Sequence, residues 1–173
     1  IYSGNSDNIK ERIERGLLDV GLLQEPVDIA KYSFIRTPCS EQWGVLVRED
    51  SELASRESVT PADLAAVPLI LPEREIVQNE LFNWFGPYAE GLRITAAGNL
   101  LYNLASLARA SGSSVLTLDL DCHYEGLRFI PLAPKLESNT VLVWKKTQMF
   151  SAAAATMIAF SEKYTPGIEE DLI

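Results

Sequence analysis

The sequence predicts an α/β fold in which short buried strands alternate with amphipathic helices. Compact apolar runs, such as residues 17–23 and 69–71, have the length and composition of strands that are covered on both faces. Segments with the apolar period of a helix, such as residues 75–85, separate these runs. Apolar residues make up 47% of the chain, which suffices for a substantial core in one large domain or two small lobes.

A strand–helix–strand unit is predicted over residues 1–23. The first two residues would end a strand, Ser6 is the expected N-cap of the helix, and Gly16 is its expected C-terminal stop. Glu11 and Arg15 lie at the spacing at which opposite charges support a helix. Two strands joined by one helix with short turns predict a parallel, right-handed crossover.

The remaining elements continue the alternation. Thr60, Pro61 and Asp63 have the order of an N-cap, a first helical residue and a capping-box acid. Residues 38–41 are expected to separate two strand pieces, and Gly112 to stop the helix that precedes it. Strands are predicted at residues 32–37, 43–48, 69–71, 92–95, 114–118, 127–131 and 140–145, and further helices at residues 75–85, 99–110 and 151–164.

Charge and cysteine content exclude several functions. The net charge is −9, from 24 acidic and 15 basic residues, and there is no Lys/Arg cluster of the kind that DNA contacts require. Two cysteines do not make a disulfide framework, so Cys39 and Cys122 are expected to be reduced. No apolar run long enough for a membrane span and no signal peptide are visible, which predicts a cytoplasmic protein without membrane contact.

Catalytic and metal chemistry lack their usual residue patterns. The single histidine, His123, is adjacent to Cys122, and neighbouring residues on an extended chain point to opposite faces. No nucleophile elbow and no phosphate-binding loop occurs. Asp119 and Asp121 follow a predicted strand, but two carboxylates without further ligands are too few for a cation site. We therefore expect no enzyme activity, no metal and no cofactor.

Three turns that precede helices are better candidates for binding. They are residues 3–6, 71–74 and 97–99, and each follows the end of a predicted strand. In open α/β sheets, ligands lie beyond the carboxyl ends of strands, where the free amides of the next helix attract anions. Ser6 and Asn99 offer a hydroxyl and an amide there. Because helix capping needs the same residue types, both roles stay open for these two residues.

Short motifs run through nearly the whole chain in a characteristic order. The polar turn at residues 3–6 and the Gly-x-x-Asp-hydrophobic-Gly pattern at residues 16–21 open the series. Strand, helix and turn patterns follow at residues 43–48, 59–64, 68–70, 110–116 and 141–146. Together these motifs resemble the effector-binding domain of LysR-type transcriptional regulators. Each motif is weak alone, and their order and spacing make the resemblance specific.

The resemblance implies a two-lobed fold of the periplasmic-binding-protein type II class. Lobe I would comprise residues 1–41 and 146–173, and lobe II residues 42–145. A small effector, often an anionic metabolite in this family, would bind between the lobes and shift their open–closed equilibrium. The protein would self-associate as a dimer and reach DNA only through a winged helix-turn-helix domain upstream. The effector contacts expected from the resemblance and the turns are Asn5, Ser6, Glu25, Pro72, Asn99, Leu118 and Asp119.

Some features depart from the family pattern. The family usually has a proline near the position of Asp119, and the turn matching Ser113 and Ser114 usually ends in glycine. An acid that faces the effector would disfavour a simple anion and suit an amine or a hydroxyl. The chain also opens in mid-strand, so we expect the family's first strand and helix, and the DNA-binding domain, to lie outside this sequence.

Two other functional classes share this architecture. A free-standing solute-binding protein is the alternative to a regulator's sensor domain, and the lack of a visible signal peptide counts against it. An enzyme on a related two-lobed scaffold, such as prephenate dehydratase, would carry a Thr-Arg-Phe signature that this sequence lacks. A fold alone does not settle function, so the sensor domain is the leading hypothesis and not a deduction from architecture.

Overall fold

The structure is a computed structural model that describes residues 1–164. These residues form seven strands and five α-helices, so the predicted α/β class is confirmed. The α-helices are α1 (Ser6–Glu14), α2 (Pro61–Ala65), α3 (Glu75–Phe85), α4 (Leu101–Ser111) and α5 (Ala152–Tyr164). The strands are β1 (Val20–Gln24), β2 (Tyr32–Arg48), β3 (Pro68–Pro72), β4 (Arg93–Gly98), β5 (Ser114–Leu118), β6 (Leu127–Pro131) and β7 (Glu137–Lys145).

The chain divides into two compact units. Unit 1 comprises Ile1–Ser40 and the residues from Asn139 onward, and unit 2 comprises Glu41–Ser138. The chain passes from one unit to the other within β2 and returns within β7. The lobes expected from the sequence change at residues 41–42 and 145–146. A continuous strand carries no sequence signal for a boundary inside it, which accounts for the different position of the second crossing.

Unit 1 is built on an antiparallel pair of strands. β1 pairs with β7, with Gly21 opposite Val143. Helix α1 packs on this pair through Ile13, which is fully buried with Leu23. A second apolar cluster in the same unit joins β7 to Ile158 of α5. Because α1 has one apolar face, this packing, in which the half-buried Ile9 also takes part, fixes which side of the helix faces water.

Two predictions for the start of the chain are wrong. Residues 1–5 contain no strand, and β1 begins only at Val20. The predicted parallel crossover is not formed either, because residues 1–5 supply no strand to pair with β1, whose partner is β7 in antiparallel direction. Local apolar periodicity predicts the helix correctly. The direction of a strand depends on a partner from the other end of the chain, about which the local pattern contains no information.

Unit 2 is built on three parallel strands in the order β5, β3, β4. β2 lies beside β5 in antiparallel direction and also pairs with β6. Leu69 and Leu71 of β3 face a core formed with α2 and α3, whereas Ile70 faces α4 on the other side. The strand is therefore covered on both faces, as its continuous apolar run predicts.

Strand β2 runs without interruption from Tyr32 to Arg48, so the break predicted at residues 38–41 is wrong. Pro38 lacks only one donor N–H, and a strand tolerates this where that donor has no ladder partner. Residues 38–40 are exposed, whereas residues 43–47 are buried in unit 2. The polar stretch therefore marks a change of surroundings along one strand and not a turn.

The predicted helix ends are confirmed at three places. Thr60 and Asp63 form a capping box at the start of α2, in which the Asp63 N–H donates to Thr60 Oγ1 at 3.3 Å. Gly16 follows α1 with a φ of 69°, and Gly112 follows α4 with a φ of 74°. Both values lie in the left-handed region that glycine adopts without a steric penalty. Arg15 pairs with Glu11 at 3.4 Å, as their spacing predicts.

Candidate functional site

The carboxyl ends of three parallel strands form one edge of the unit 2 sheet. β3 ends at Pro72, β4 at Gly98 and β5 at Leu118. Pro72 lies opposite Gly98 in the ladder, and the Glu73 N–H donates to the Gly98 carbonyl at 3.0 Å. Ligands of open α/β sheets bind outside this edge. The carboxyl edge of unit 2, comprising the turns after β3, β4 and β5, is therefore the candidate site of this unit.

Asn99 and Glu73 connect two of these strand ends. Asn99 Nδ2 donates to Glu73 Oε1 at 2.7 Å. Asn99 does not cap α4, because the N-cap position belongs to Leu100 and the helix has no side-chain cap. The capping role that stayed open for Asn99 is therefore wrong. Helix α4 begins at Leu101, two residues after Asn99, so the Asn99 amide bonds to the turn after β3 and not to the helix.

Asp119 lies in the turn after β5. Its N–H donates to the Gln42 carbonyl at 2.8 Å, which holds the turn against β2. Its Oδ1 accepts a hydrogen bond from the Asp121 N–H at 3.1 Å. Asp121 has a φ of 51°, which short polar side chains tolerate better than others. The Asp119 side chain itself is exposed at the carboxyl edge of unit 2.

In unit 1, Asn5 and not Ser6 caps α1. Asn5 Oδ1 accepts from the Asn8 N–H at 2.9 Å, and Ser6 is the first helical residue. The Ser6 hydroxyl is buried and donates to the Gln24 carbonyl at 3.3 Å. The capping role predicted for Ser6 is therefore wrong by one residue. Asparagine and serine are equally good N-caps, so residue type does not show which of two neighbours is the cap. The backbone of Asn5 is extended, as an N-cap requires, which makes Asn5 the cap.

Glu25 follows β1 directly and is paired with a cation. Arg36 Nη2 lies 3.1 Å from Glu25 Oε1, and the Glu25 N–H donates to the Asn139 carbonyl at 2.9 Å. Beside it, Gln24 Nε2 donates to the same carbonyl at 3.2 Å, and Gln24 Oε1 accepts from the Thr140 hydroxyl at 3.1 Å. The end of β1 is thus held against β7, and the Glu25 charge is balanced within unit 1.

The seven expected contacts fall into two groups. Those at the end of β1 and the start of α1 in unit 1 are Asn5, Ser6 and Glu25, and those at the carboxyl edge of unit 2 are Pro72, Asn99, Leu118 and Asp119. The expected contacts leave out Gln24, whose backbone carbonyl accepts the Ser6 hydroxyl, and Glu73, which lies in the expected turn at residues 71–74 and accepts from the Asn99 amide. Their only signal is position, since Gln24 ends β1 and Glu73 follows β3 at once.

Each unit has an open cavity of its own. The unit 1 cavity, of about 770 Å³, has an apolar lining that includes Tyr2, Leu22 and Met157. The unit 2 cavity, of about 630 Å³, is lined in part by Asp119 and Tyr124. Burial, followed by the nearby thiol of Cys122, raises the pKa of Tyr124 above its usual range. Of these two cavities, only that of unit 2 includes an expected effector contact.

The described part of the chain brings no set of candidate metal ligands together. Residues 1–164 contain no group of three or more His, Cys, Asp or Glu side chains that could hold a metal ion. The Cys122 thiol donates to the Leu120 carbonyl at 3.3 Å, and both Cys39 and Cys122 are free. Among the same residues, no helix has the length and apolar character needed to cross a membrane.

Residues 1–165 match the protein family described as the LysR substrate binding domain. The chain belongs to this family. The resemblance carried by its sequence motifs is thereby confirmed. The family and its solved members are transcriptional regulators and not enzymes.

Solved structures of this family share the fold. The effector-binding domain of QuiR in complex with shikimate has a TM-score of 0.81 at 15% identity, covering 95% of this chain and 79% of that one. The CcmR regulatory domain of Synechocystis PCC6803, in complex with 2-PG, has a TM-score of 0.75 at 12% identity, covering 95% and 81%. HinK, a LysR family regulator from Pseudomonas aeruginosa, has a TM-score of 0.75 at 16% identity, covering 95% and 59%.

These likenesses confirm the predicted fold class, a periplasmic-binding-protein type II-like α/β domain. At identities this low they show the fold and not the ligand. The chain spans between 57% and 60% of the length of the longer regulators that it matches.

Proposed function

We propose that this LysR substrate-binding domain is the effector-sensing part of a LysR-type transcriptional regulator. It binds a small metabolite and transmits the binding event to a winged helix-turn-helix domain that precedes it in the full-length protein. The regulator acts in the cytoplasm as a dimer or higher oligomer, and it reaches DNA only through that upstream domain. The family match over residues 1–165 carries this proposal, supported by relatives solved with shikimate and with 2-PG.

The proposed effector contacts are the expected residues at the strand ends of each unit. Ser6 keeps acceptor lone pairs on a hydroxyl that already donates to Gln24. Asn5 keeps a free amide N–H₂, because only its Oδ1 takes part in the cap. Glu25 is positioned by Arg36. In unit 2 the contacts are Pro72, Asn99, Leu118 and Asp119, of which Pro72 and Leu118 would contribute backbone and apolar surface.

The effector signal reaches the DNA-binding domain because the effector binds one conformational state more tightly than the other. An effector shifts a conformational equilibrium only by as much as it prefers one state over the other, and the same free energy couples its site to the DNA-binding domain. Couplings of about 1–3 kcal/mol are typical of allosteric proteins. No catalytic step is needed for this function, which agrees with a family of regulators.

Thermal-shift screening with a metabolite library tests the effector proposal. A metabolite present at about 100 times its dissociation constant adds about 2.7 kcal/mol to the free energy of unfolding. Once such a metabolite is found, Ser6→Ala and Asn99→Ala should weaken its affinity. Ser58→Ala and Asn79→Ala are matched controls, because both residues are exposed and lie outside the strand-end turns. Unchanged affinity in both test variants would remove Ser6 and Asn99 from the site.

The upstream coding sequence tests the regulator itself. We expect it to encode a winged helix-turn-helix followed by a long linker helix. A secretion signal in that position would instead identify a solute-binding protein and contradict the proposal.

A further inference from the structure

A further open cavity lies at the start of the parallel strands of unit 2. Its volume is about 450 Å³, which is in the range of small-molecule sites. All its lining residues belong to unit 2, and they are Pro68, Arg93, Thr95, Leu107, Ser111 and Ser113. Pro68 begins β3, Arg93 begins β4, and Ser113 precedes β5. This cavity, the amino-edge cavity, therefore lies at the opposite end of these strands from the carboxyl edge of unit 2.

Arg93 places an unpaired positive charge in this cavity, although the chain as a whole carries a net charge of −9. It is the ionisable one of the lining residues. Within residues 1–164, neither an ion pair nor a side-chain hydrogen bond includes its guanidinium, whereas Arg36 and Arg48 each lie against a carboxylate. A guanidinium presents five N–H donors in a fork that fits a carboxylate. Those of Arg93 are open to a ligand.

Ser111, the last residue of α4, adds a hydroxyl donor to the same cavity. Ser106 shows the usual behaviour of a serine in this helix, because its hydroxyl donates to the Tyr102 carbonyl one turn back at 3.0 Å. Ser111 Oγ instead accepts the Ser113 N–H at 3.2 Å, and its own hydrogen meets no acceptor within residues 1–164. The Ser111 hydroxyl can therefore donate to a ligand.

The hydroxyl of Ser113, a residue only 3% exposed, lies at the inner wall of the cavity. Thr95 Oγ1 is 3.0 Å from the Leu69 carbonyl and 3.2 Å from Ser113 Oγ. Because a carbonyl only accepts, the single hydroxyl hydrogen of Thr95 goes to Leu69, and the Ser113 hydrogen can turn to Thr95 or into the cavity. Ser113 can thus donate to a ligand without giving up a hydrogen bond to the backbone.

We propose that the amino-edge cavity is a second binding site, and that it takes a monocarboxylate with a short apolar body. Arg93 holds the carboxylate, to which Ser111 and Ser113 donate. Pro68 and Leu107 contact the apolar body, and Leu107 is 41% exposed, so covering it removes apolar surface from water. The C-terminus of α4 brings a partial negative charge to the same place, so the contact with the guanidinium decides the affinity. This site does not depend on the effector contacts proposed above.

Hexanoate, hexanol and hexylammonium test the class of ligand, because they share an apolar body and differ in the head group. Each is titrated into the isotope-labelled full chain and followed by two-dimensional NMR. Hexanoate should shift the amide signals of Ser111, Gly112 and Ser113 saturably, and the other two compounds should leave them unchanged. Equal shifts with all three compounds, or no saturable shift with hexanoate, would overturn the proposal. Inorganic phosphate acting as well as hexanoate would contradict the role of the apolar body.

Variants localise the binding. Arg93→Gln should weaken hexanoate by about tenfold or more, because charge-assisted hydrogen bonds to the carboxylate are lost. Arg128→Gln is the matched control, since Arg128 is an exposed arginine of β6 outside the amino-edge cavity and its loss changes the net charge equally. Ser111→Ala should weaken hexanoate by a smaller factor, because one neutral donor is lost. Equal affinities for wild type and Arg93→Gln, or equal losses in the two arginine variants, would overturn the assignment of the site.

Discussion

The capping box of α2 lets a single exposed threonine contribute to the free energy of unfolding. Thr60 Oγ1 accepts the Asp63 N–H, and the Asp63 carboxylate accepts from the Thr60 N–H at 2.9 Å. We expect Thr60→Ala to lower the free energy of unfolding by about 1 kcal/mol, as measured by urea denaturation. Thr147→Ala is the control, because Thr147 is exposed and lies outside any helix. Equal losses in the two variants would contradict the capping role.

The same box has a defined pH dependence. Hydrogen bonds from the Thr60 backbone and hydroxyl, with Arg56 nearby, lower the pKa of the Asp63 carboxyl below its usual value. A depressed pKa in the folded state stabilises the protein above the unfolded pKa, and the stabilisation is lost as the pH falls through the folded pKa. The difference between wild type and Thr60→Ala should therefore shrink in acid. A difference that stays constant down to the acid transition would contradict this account.

Tyr32 makes the free energy of unfolding fall as the pH rises, the opposite of the dependence expected for Asp63. Its burial, followed by its hydrogen bond to Glu14 and the charges of Glu14 and Asp28, raises its pKa to about 12. The neutral phenol is favoured in the fold, so its contribution is complete below the unfolded pKa and is lost as the pH rises towards the folded one. Between about pH 9 and about pH 11, wild type should lose about 1 kcal/mol more than Tyr32→Phe in urea denaturation.

An exposed tyrosine provides the control for this measurement. Tyr88→Phe should keep the wild-type dependence on pH, because Tyr88 is 46% exposed. If Tyr32→Phe and wild type lose stability in parallel, the phenol of Tyr32 does not carry the alkaline transition.

At the residue scale, the sequence predicts where site residues lie better than what they contact. Residues 3–6 are correctly chosen as a turn before a helix, yet the cap is Asn5 and Ser6 is buried against Gln24. Likewise Asn99 lies in the expected turn, but its partner is Glu73, which is distant in sequence. Composition and spacing identify turns, whereas side-chain partners depend on strand pairing that no local pattern specifies.

At the element scale, the close approach of α1 to β1 depends on Gly21. A Cβ at this position would lie 2.6 Å from Ile9 Cγ2 and 2.8 Å from Ile13 Cδ1. Since Ile13 is fully buried, the helix has to move or the side chains have to leave their rotamers. We expect Gly21→Ala to lower the free energy of unfolding by about 1–3 kcal/mol, measured by urea denaturation.

The control for this packing is a glycine in open space. A Cβ on Gly91 would meet nothing within 4 Å, so Gly91→Ala should be close to neutral. The loss in the double variant Gly21→Ala with Ile9→Ala should be smaller than the sum of the two single losses, because Ile9→Ala removes the nearer clash. Equal stabilities of Gly21→Ala and Gly91→Ala would show that the helix does not rest on this position.

The same elements show which parts of the fold can be predicted from the sequence. The helices α1, α2 and α3 and the buried strands β3 and β5 have strong periodic or apolar patterns, and each appears where its pattern indicates. The direction of β1 and the continuity of β2 do not follow from such patterns. Both depend on pairing between distant parts of the chain. In β2, a proline in an exposed stretch has the sequence pattern of a turn although the strand continues through it.

At the scale of the whole molecule, the two units differ in how the chain builds them. Unit 2 is one contiguous stretch, Glu41–Ser138, whereas unit 1 needs segments from both sides of it. Two buried apolar clusters, one on each face of the unit 2 sheet, consist only of residues from this stretch. A contiguous chain with its own core satisfies the usual requirements for independent folding.

We therefore expect residues 41–138, expressed alone, to unfold cooperatively in urea with a single transition followed by circular dichroism and by tryptophan fluorescence. Residues 61–158 form the matched control, since this stretch has the same length but lacks the part of β2 that supplies Trp43, Val45 and Val47 to the core. A gradual transition for residues 41–138, like that expected of the control, would show that unit 2 depends on unit 1 for its fold. If the contiguous unit does fold alone, the proposed effector contacts at its carboxyl edge can be tested for ligand binding without unit 1.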